Sequence, residues 1–177
     1  MRWLIATVLL VTTSCALAEG PVYAELQIGA SGVRHSDLEF YPVFGTVSLG
    51  AYVAKNIGIE VFADSSVSSD DDEGFELDIE EAYGVALRLQ SQPINNVQGF
   101  IVLGAVNYTL NQESLLSSGV SGLPANEEFE GMRVSVGLMQ RFERVPGLLF
   151  TAEYRHYNAD EPLRVDALVF GFRVNAP

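Results

Sequence analysis

Most of the side chains in this sequence that could do chemistry are carboxylate and guanidinium groups placed among apolar residues. The set consists of Glu25, Glu60, Asp64, Arg88, Arg133, Arg141, Glu153, Arg155 and Arg173. Acid and base are nearly balanced in this set, although the whole chain has 23 acidic and 10 basic residues. Because charges enclosed by a protein must be paired, this balance predicts an internal charge network. The alternative is an ordinary solvent-exposed charged face.

The two histidines and one acidic run are the other chemical candidates. His35 lies in a predicted loop beside Arg34, and we expect it to be a surface residue. The acidic run 70–74 (DDDEG) offers oxygen ligands for divalent cations. It lacks the alternating spacing of a calcium loop, which favours a solvated exterior loop. With no glycine-rich phosphate loop, Cys/His metal cluster or nucleophile elbow in the sequence, we expect no cofactor, no metal site and no catalytic residue.

The elements that must position these groups are about eight short segments between Val22 and Val174 in which apolar and polar residues alternate. A period of two predicts strands with one apolar and one polar face. Together with the N-terminal export signal described below, this pattern predicts an eight-stranded antiparallel up-and-down transmembrane β-barrel. The charge network would then lie in its lumen. The fifth segment is apolar on both faces, and we predict that Phe100, Val102, Val106 and Tyr108 face outward.

Predicted connections alternate between short and long. The short ones are 54–56, 91–96 and 143–146, and the long ones are 32–42, 65–78, 111–128 and 158–164. Short turns of transmembrane barrels face the periplasm and long loops face the exterior. An even number of strands then places both chain ends in the periplasm.

The N-terminus resembles an export signal. Arg2, an apolar run from Leu4 to Val11 and an Ala16-Leu17-Ala18 cleavage site predict a signal peptide over residues 1–18 and a barrel over residues 19–177. The apolar run is too short for a membrane-spanning helix. Cys15 lies within the removed segment, so the mature chain has no disulfide; alternatively, Cys15 is the lipidated first residue of a lipoprotein.

The charge of the chain excludes one class of partner. A formal net charge of −13 repels nucleic acid, whose binding depends on Lys and Arg. With 48% hydrophobic residues, the chain is expected to fold rather than to be disordered. Its length predicts a single domain. The expected surroundings of this monomer are outer-membrane lipid and lipopolysaccharide.

Two stretches resemble a known family. Residues 52–62 (YVAKNIGIEVF) and 152–174 (AEYRHYNADEPLRVDALVFGFRV) are similar to hairpins of small OmpA-like and OmpX-like outer-membrane barrels. The resemblance implies an eight-stranded barrel in the bacterial outer membrane. We therefore predict a non-enzymatic protein with a structural or loop-mediated interaction role.

Two alternatives remain open. Outer-membrane lipid A deacylases carry a His-x-Ser pair on a similar barrel, and the corresponding stretch here is His156-Tyr157-Asn158. Asparagine cannot serve as the nucleophile of acyl transfer, although His156 could activate water as a general base. The second alternative is a soluble periplasmic lipocalin-like barrel that binds an apolar ligand.

Overall fold

Eight long strands form the protein in the computed structural model, which describes residues 22–35, 38–68, 70–72, 75–114, 126–159 and 163–176. The strands are β1 (Val22–His35), β2 (Val43–Ala54), β3 (Ile57–Ser68), β4 (Phe75–Gln90), β5 (Val97–Ser114), β6 (Asn126–Arg141), β7 (Leu148–Ala159) and β8 (Leu163–Asn175). Two three-residue strands, Leu38–Phe40 and Asp70–Asp72, pair with β1 and β4. No helix in the described part of the chain is long and apolar enough to cross a bilayer.

Every long strand pairs antiparallel with its neighbour in the chain, and β8 pairs with β1 to close the sheet. The closing register runs from Tyr23 opposite Asn175 to His35 opposite Leu163. The predicted eight-stranded up-and-down barrel is thereby confirmed. Closure leaves none of the eight strands as a free sheet edge.

The apolar face of the wall points outward. Leu26 and Phe172, which are cross-strand neighbours, are 58% and 51% exposed, whereas Glu25 and Arg173 on the opposite face are buried. Because alternate residues of a strand point to opposite sides, the pattern that makes the exterior apolar also fills the interior with polar groups. A lipocalin-like barrel has the reverse arrangement.

The predicted orientation of the fifth segment is wrong. Phe100, Val102 and Val106 are buried in the lumen, while Ile101 and Leu103 are exposed. The pairing with β4 decides this orientation, because Val102 lies directly opposite the lumen-facing Arg88. Tyr108 belongs to β5, but its side chain lies outside the described side chains.

Much of the sequence predicted as long connections is strand. β3 continues to Ser68, Asp70–Asp72 pairs with the start of β4, and β4 begins at Phe75. The predicted 65–78 loop is therefore mostly a hairpin. The short turns lie at the opposite end of the barrel, where Asn56 and Gly147 take positive φ values of 67° and 82°. Asparagine and glycine accept this left-handed conformation more readily than other residues.

Candidate functional site

The candidate site is the charged lumen. Alternation along six strands brings eight of the nine predicted charged residues inside, and each of the eight is at most 4% exposed. They are Glu25 on β1, Glu60 and Asp64 on β3, Arg88 on β4, Arg133 on β6, Glu153 and Arg155 on β7, and Arg173 on β8. Four carboxylates therefore face four guanidinium groups, so this set of eight described residues is formally neutral.

Four of these residues form a group near the short turns, here called the turn-side cluster: Glu25, Glu60, Arg88 and Arg173. Arg88 Nε donates to Glu60 Oε2 at 2.8 Å, and its Nη2 donates to Glu25 Oε2 at 3.1 Å. Arg173 donates from Nε to the same Glu25 oxygen at 3.0 Å and also contacts it through Nη2. Glu25 thus joins two arginines from different strands.

The other four form the distal cluster: Asp64, Arg133, Glu153 and Arg155. Glu153 Oε1 accepts from Arg133 Nη2 at 2.7 Å and from Arg155 Nε at 2.8 Å. Arg155 Nη1 reaches Asp64 Oδ1 at 3.3 Å. Each cluster contains two acids and two arginines, so each is neutral by itself.

The two clusters meet at one long contact. Arg133 Nη2 lies 3.9 Å from Glu60 Oε1, beyond hydrogen-bond distance. The six shorter ion pairs among these eight residues each lie within one cluster. The lumen is therefore built as two polar layers with a junction at Glu60 and Arg133.

Neutral polar side chains that the sequence analysis did not select complete both clusters. The Tyr23 hydroxyl donates to Glu60 at 2.9 Å, and the Tyr157 hydroxyl donates to Asp64 at 2.7 Å. Thr46 donates to Asp64 at 2.5 Å, and Gln27 donates to Glu153 at 3.1 Å. They lie on the same face of their strands as the charged residues, and this shared face is the sequence feature that could have identified them.

The ninth predicted residue, Arg141, occupies a different position. It is the last residue of β6, next to the 142–147 turn, and its side chain is half-buried. It therefore lies at the short-turn rim of the barrel.

Each lumen arginine also lies over an aromatic ring. The distances from guanidinium carbon to ring centroid are 3.8 Å for Arg173 over Tyr23, 4.2 Å for Arg88 over Phe100, 4.4 Å for Arg133 over Phe62 and 5.9 Å for Arg155 over Phe44. Such contacts add cation–π attraction to the ion pairs.

A glycine stands directly opposite each of these rings in the register. Tyr23 faces Gly50, Phe44 faces Gly29, Phe62 faces Gly84, and Phe100 faces Gly137. A Cβ on Gly84 would come within 2.7 Å of the Phe62 ring. At Gly50, Gly84 and Gly137 the absence of a Cβ thus leaves the space that the ring occupies, whereas a Cβ at Gly29 would meet the Leu168 carbonyl oxygen and Val169 instead. The sequence alone could not identify this repeated Gly–aromatic–Arg arrangement, because each glycine and its ring lie on different strands and are paired only by the register.

His156 lies on the outer face, in an arrangement of its own. Its Nδ1 is 2.7 Å from Asp166 Oδ1, and the same oxygen accepts from the Tyr154 hydroxyl at 2.7 Å. His156 and Asp166 are direct cross-strand partners on β7 and β8, and their side chains are 36% and 35% exposed. The carboxylate is placed to orient the imidazole ring.

Several predictions fall on residues outside the structural description. These are residues 1–18 with Cys15, the side chain of His35, and Glu73 and Gly74 of the acidic run. Asp70–Asp72 is described as a strand, but the carboxylate positions are not. Among the residues that were described, no group of three or more His, Cys, Asp or Glu side chains could hold a metal ion.

Comparison with known families gives one match. Residues 4–175 match the family model described as "Outer membrane protein beta-barrel domain". A comparison with curated protein sequences gave no match.

Solved structures of the same fold include three bacterial proteins. Neisserial surface protein A is 16% identical, with a TM-score of 0.63, and the match covers 88% of this chain and 97% of that one. Ail of Yersinia pestis, solved with the heparin analogue sucrose octasulfate, is 15% identical with a TM-score of 0.62, covering 89% and 99%. OprG of Pseudomonas aeruginosa is 12% identical with a TM-score of 0.53, covering 88% and 96%.

Proposed function

Because the chain belongs to the outer-membrane protein β-barrel family, we propose that it is a non-enzymatic barrel that acts through the strands and loops at its distal end, the end opposite the short turns, which faces the cell exterior. Outer-membrane lipid and lipopolysaccharide surround its wall. Its role is structural or interactive, and its partner contacts the part of the protein outside the membrane.

The observation that carries this proposal is the filled lumen. Arg88, Arg133, Arg155 and Arg173 are fully buried, and their partners close the interior from several sides. An eight-stranded barrel has room for side chains inside but not for an open channel as well. A transport role through the lumen is thus disfavoured, which leaves the ends and the outer face of the barrel as the functional surfaces.

The strands extend well beyond the charge network at the distal end. The β3–β4 hairpin extends beyond Asp64, and strand pairing continues through Asp70–Asp72 and between β4 and β5 as far as Ser114. Between Ser65 and Glu81 the sequence has eight acidic residues and no lysine or arginine. Ail was solved with a polyanionic heparin analogue. The acidic residues of the β3–β4 hairpin would repel such a polyanion.

The orientation of the barrel can be tested by single-cysteine labelling. The only natural cysteine, Cys15, lies in the predicted signal peptide, so an introduced cysteine would be the only one in the processed protein. We expect Asp71→Cys, on the distal hairpin, to react with a membrane-impermeant maleimide on intact cells. The matched control is Lys55→Cys, in the exposed turn between β2 and β3, which should react only after the outer membrane is permeabilised. The opposite labelling pattern would overturn the proposed orientation.

Cell fractionation and gel mobility test the membrane location in the same strains. A membrane barrel sediments with the outer membrane and shifts its mobility when heated in detergent. Release of the protein into the soluble periplasmic fraction would contradict the proposal.

A second candidate function is hydrolysis of an outer-leaflet lipid ester, and one observation favours it. Asp166 holds Nδ1 of His156, which leaves Nε2 as the nitrogen that could accept a proton from water. Lipid A profiles from cells expressing the protein and its His156→Ala variant test this candidate. A change that depends on His156 would support hydrolysis, and identical profiles would reject it.

A further inference from the structure

The lumen has unused hydrogen-bonding capacity at defined atoms. Among the described residues, six buried side-chain atoms have no hydrogen-bond partner: Glu25 Oε1, Ser48 Oγ, Glu60 Oε1, Arg88 Nη1, Arg133 Nη1 and Asn175 Oδ1. Leaving a buried polar atom without a partner costs roughly 1–3 kcal/mol, and more for a charged group. Several such atoms in one interior therefore indicate a bound polar molecule.

The four lumen arginines differ in this respect. All three side-chain nitrogens of Arg173 donate to Glu25 or Tyr52. All three of Arg155 also donate, to Glu153, Thr46 and Gln27. Arg88 and Arg133 each use Nε and Nη2 only. All four side chains are equally buried, so exposure to bulk solvent does not explain the difference.

The chemistry of the unused atoms identifies the ligand. Of the six atoms, two are guanidinium donors, two are carboxylate acceptors, and the other two are a hydroxyl and an amide oxygen. Each charge cluster is already neutral. A cation or an anion would satisfy one kind of atom and disturb that neutrality. A small neutral molecule that donates and accepts satisfies both kinds, and water has these properties. We propose that the lumen contains ordered water bound at Arg88, Arg133, Glu25 and Glu60.

The junction of the two clusters is the best-defined of these sites. Glu60 Oε1 and the Arg133 guanidinium approach each other to 3.9 Å, too far for a direct hydrogen bond. Both Glu60 Oε1 and Arg133 Nη1 have no other partner among the described residues. A water molecule that accepts from Arg133 and donates to Glu60 would link the turn-side and distal clusters.

The test is water-edited solid-state NMR of arginine ¹⁵N-labelled protein in lipid bilayers. We expect magnetisation transfer from water to the guanidinium nitrogens of Arg88 and Arg133 to be several-fold faster than to those of Arg155 and Arg173. The last two are internal controls in the same sample, because their burial is the same and their donors have protein acceptors.

Two results would overturn the proposal. Equally slow transfer to all four arginines would show a dry lumen, and equally fast transfer would show a flooded one. Signals are assigned from Arg→Lys variants or, where a variant fails to fold, from through-bond correlations in the unmodified protein. As a second measurement, magnetic relaxation dispersion should detect long-lived internal water in the unmodified protein, and its absence would also contradict the proposal.

Discussion

At the scale of single residues, the lumen depends on charge balance within small groups. Burying an ion pair is costly, and the cost is offset only when each charge keeps its partners. Glu25 serves two arginines in the turn-side cluster, and Glu153 serves two in the distal cluster. Loss of one member therefore leaves an unbalanced charge that has no access to solvent.

We predict that Arg88→Met destabilises the barrel by about 3–5 kcal/mol, because Glu25 and Glu60 are then left with too few partners. Adding Glu60→Gln restores the neutrality of the cluster, so the double variant should lose less stability than the sum of the two single variants. Urea unfolding in lipid vesicles measures the three free energies. Arg144→Met, at an exposed turn residue, is the control and should change stability little. Strict additivity would contradict the coupling.

Alternation was sufficient to place these residues on one face, but it could not identify their partners. Partners depend on the register between strands, and the β4–β5 ladder contains an irregularity between Ile79 and Glu81 that no sequence pattern announces. The pairing of glycines with aromatic rings could not be predicted from the sequence either, because Gly84 and Phe62 are 22 positions apart in sequence (84 − 62) and meet only across two strands.

At the scale of the strands, β5 shows where sequence patterns become uninformative. Its inward and outward residues are both apolar, since Phe100 and Val102 pack beneath and beside Arg88 while Ile101 and Leu103 face lipid. Hydrophobicity alone cannot separate these two environments. The neighbouring strand resolves the choice, because paired residues share a face.

We predict that Phe100→Ala destabilises the barrel by roughly 3–5 kcal/mol, the usual cost of removing a buried aromatic side chain. Ile101→Ala, the adjacent substitution on the lipid face, should cost much less, because lipid can fill the space that it leaves. Denaturant titration of both variants gives the comparison. Equal losses of stability, or a larger loss for the Ile101 variant, would contradict the orientation in which Phe100 faces the lumen and Ile101 faces lipid.

Whether the outward face of the strands contacts lipid can be tested at two exposed apolar residues. Leu26 on β1 and Val145 in the 142–147 turn are exposed to similar extents, 58% and 50%. Only Leu26 should lie within the bilayer. Leu26→Arg is expected to cost up to about 2–4 kcal/mol in lipid vesicles, whereas Val145→Arg should be nearly neutral. Equal effects of the two substitutions on folding yield and stability would show that the exposed apolar face is not in contact with lipid.

At the scale of the whole molecule, two neutral clusters and their stacked rings close the interior to ions. We predict no stable current steps when the purified barrel is inserted into planar bilayers. The combined Arg88→Ala and Glu60→Ala variant removes charge and volume together, and it should be the more permeable of the two proteins. Regular single-channel steps from the unmodified protein would contradict a filled lumen.

The architecture of the whole molecule was predictable because eight alternating segments allow few arrangements other than a closed sheet. The extent of the strands was not. Residues 65–78 are polar and acidic, so their composition indicated a loop, whereas in the structure the hairpin extends through most of them by backbone pairing. Backbone hydrogen bonds tolerate almost any side chain, which is why composition fails there.

Barrel closure also determines when the protein can complete its folding. Leu26 on the first strand pairs with Phe172 on the last, 146 positions later (172 − 26), and the Ala176 amide donates to the Val22 carbonyl at 2.9 Å. Until β8 has been synthesised and exported, β1 has no partner on that side, and the lipid-facing residues of the earlier strands remain in water. Contacts this distant in sequence form slowly, and an exposed apolar chain aggregates. The complete polypeptide must therefore be present before the barrel can close, and a chain truncated before β8 has no shorter native barrel to adopt.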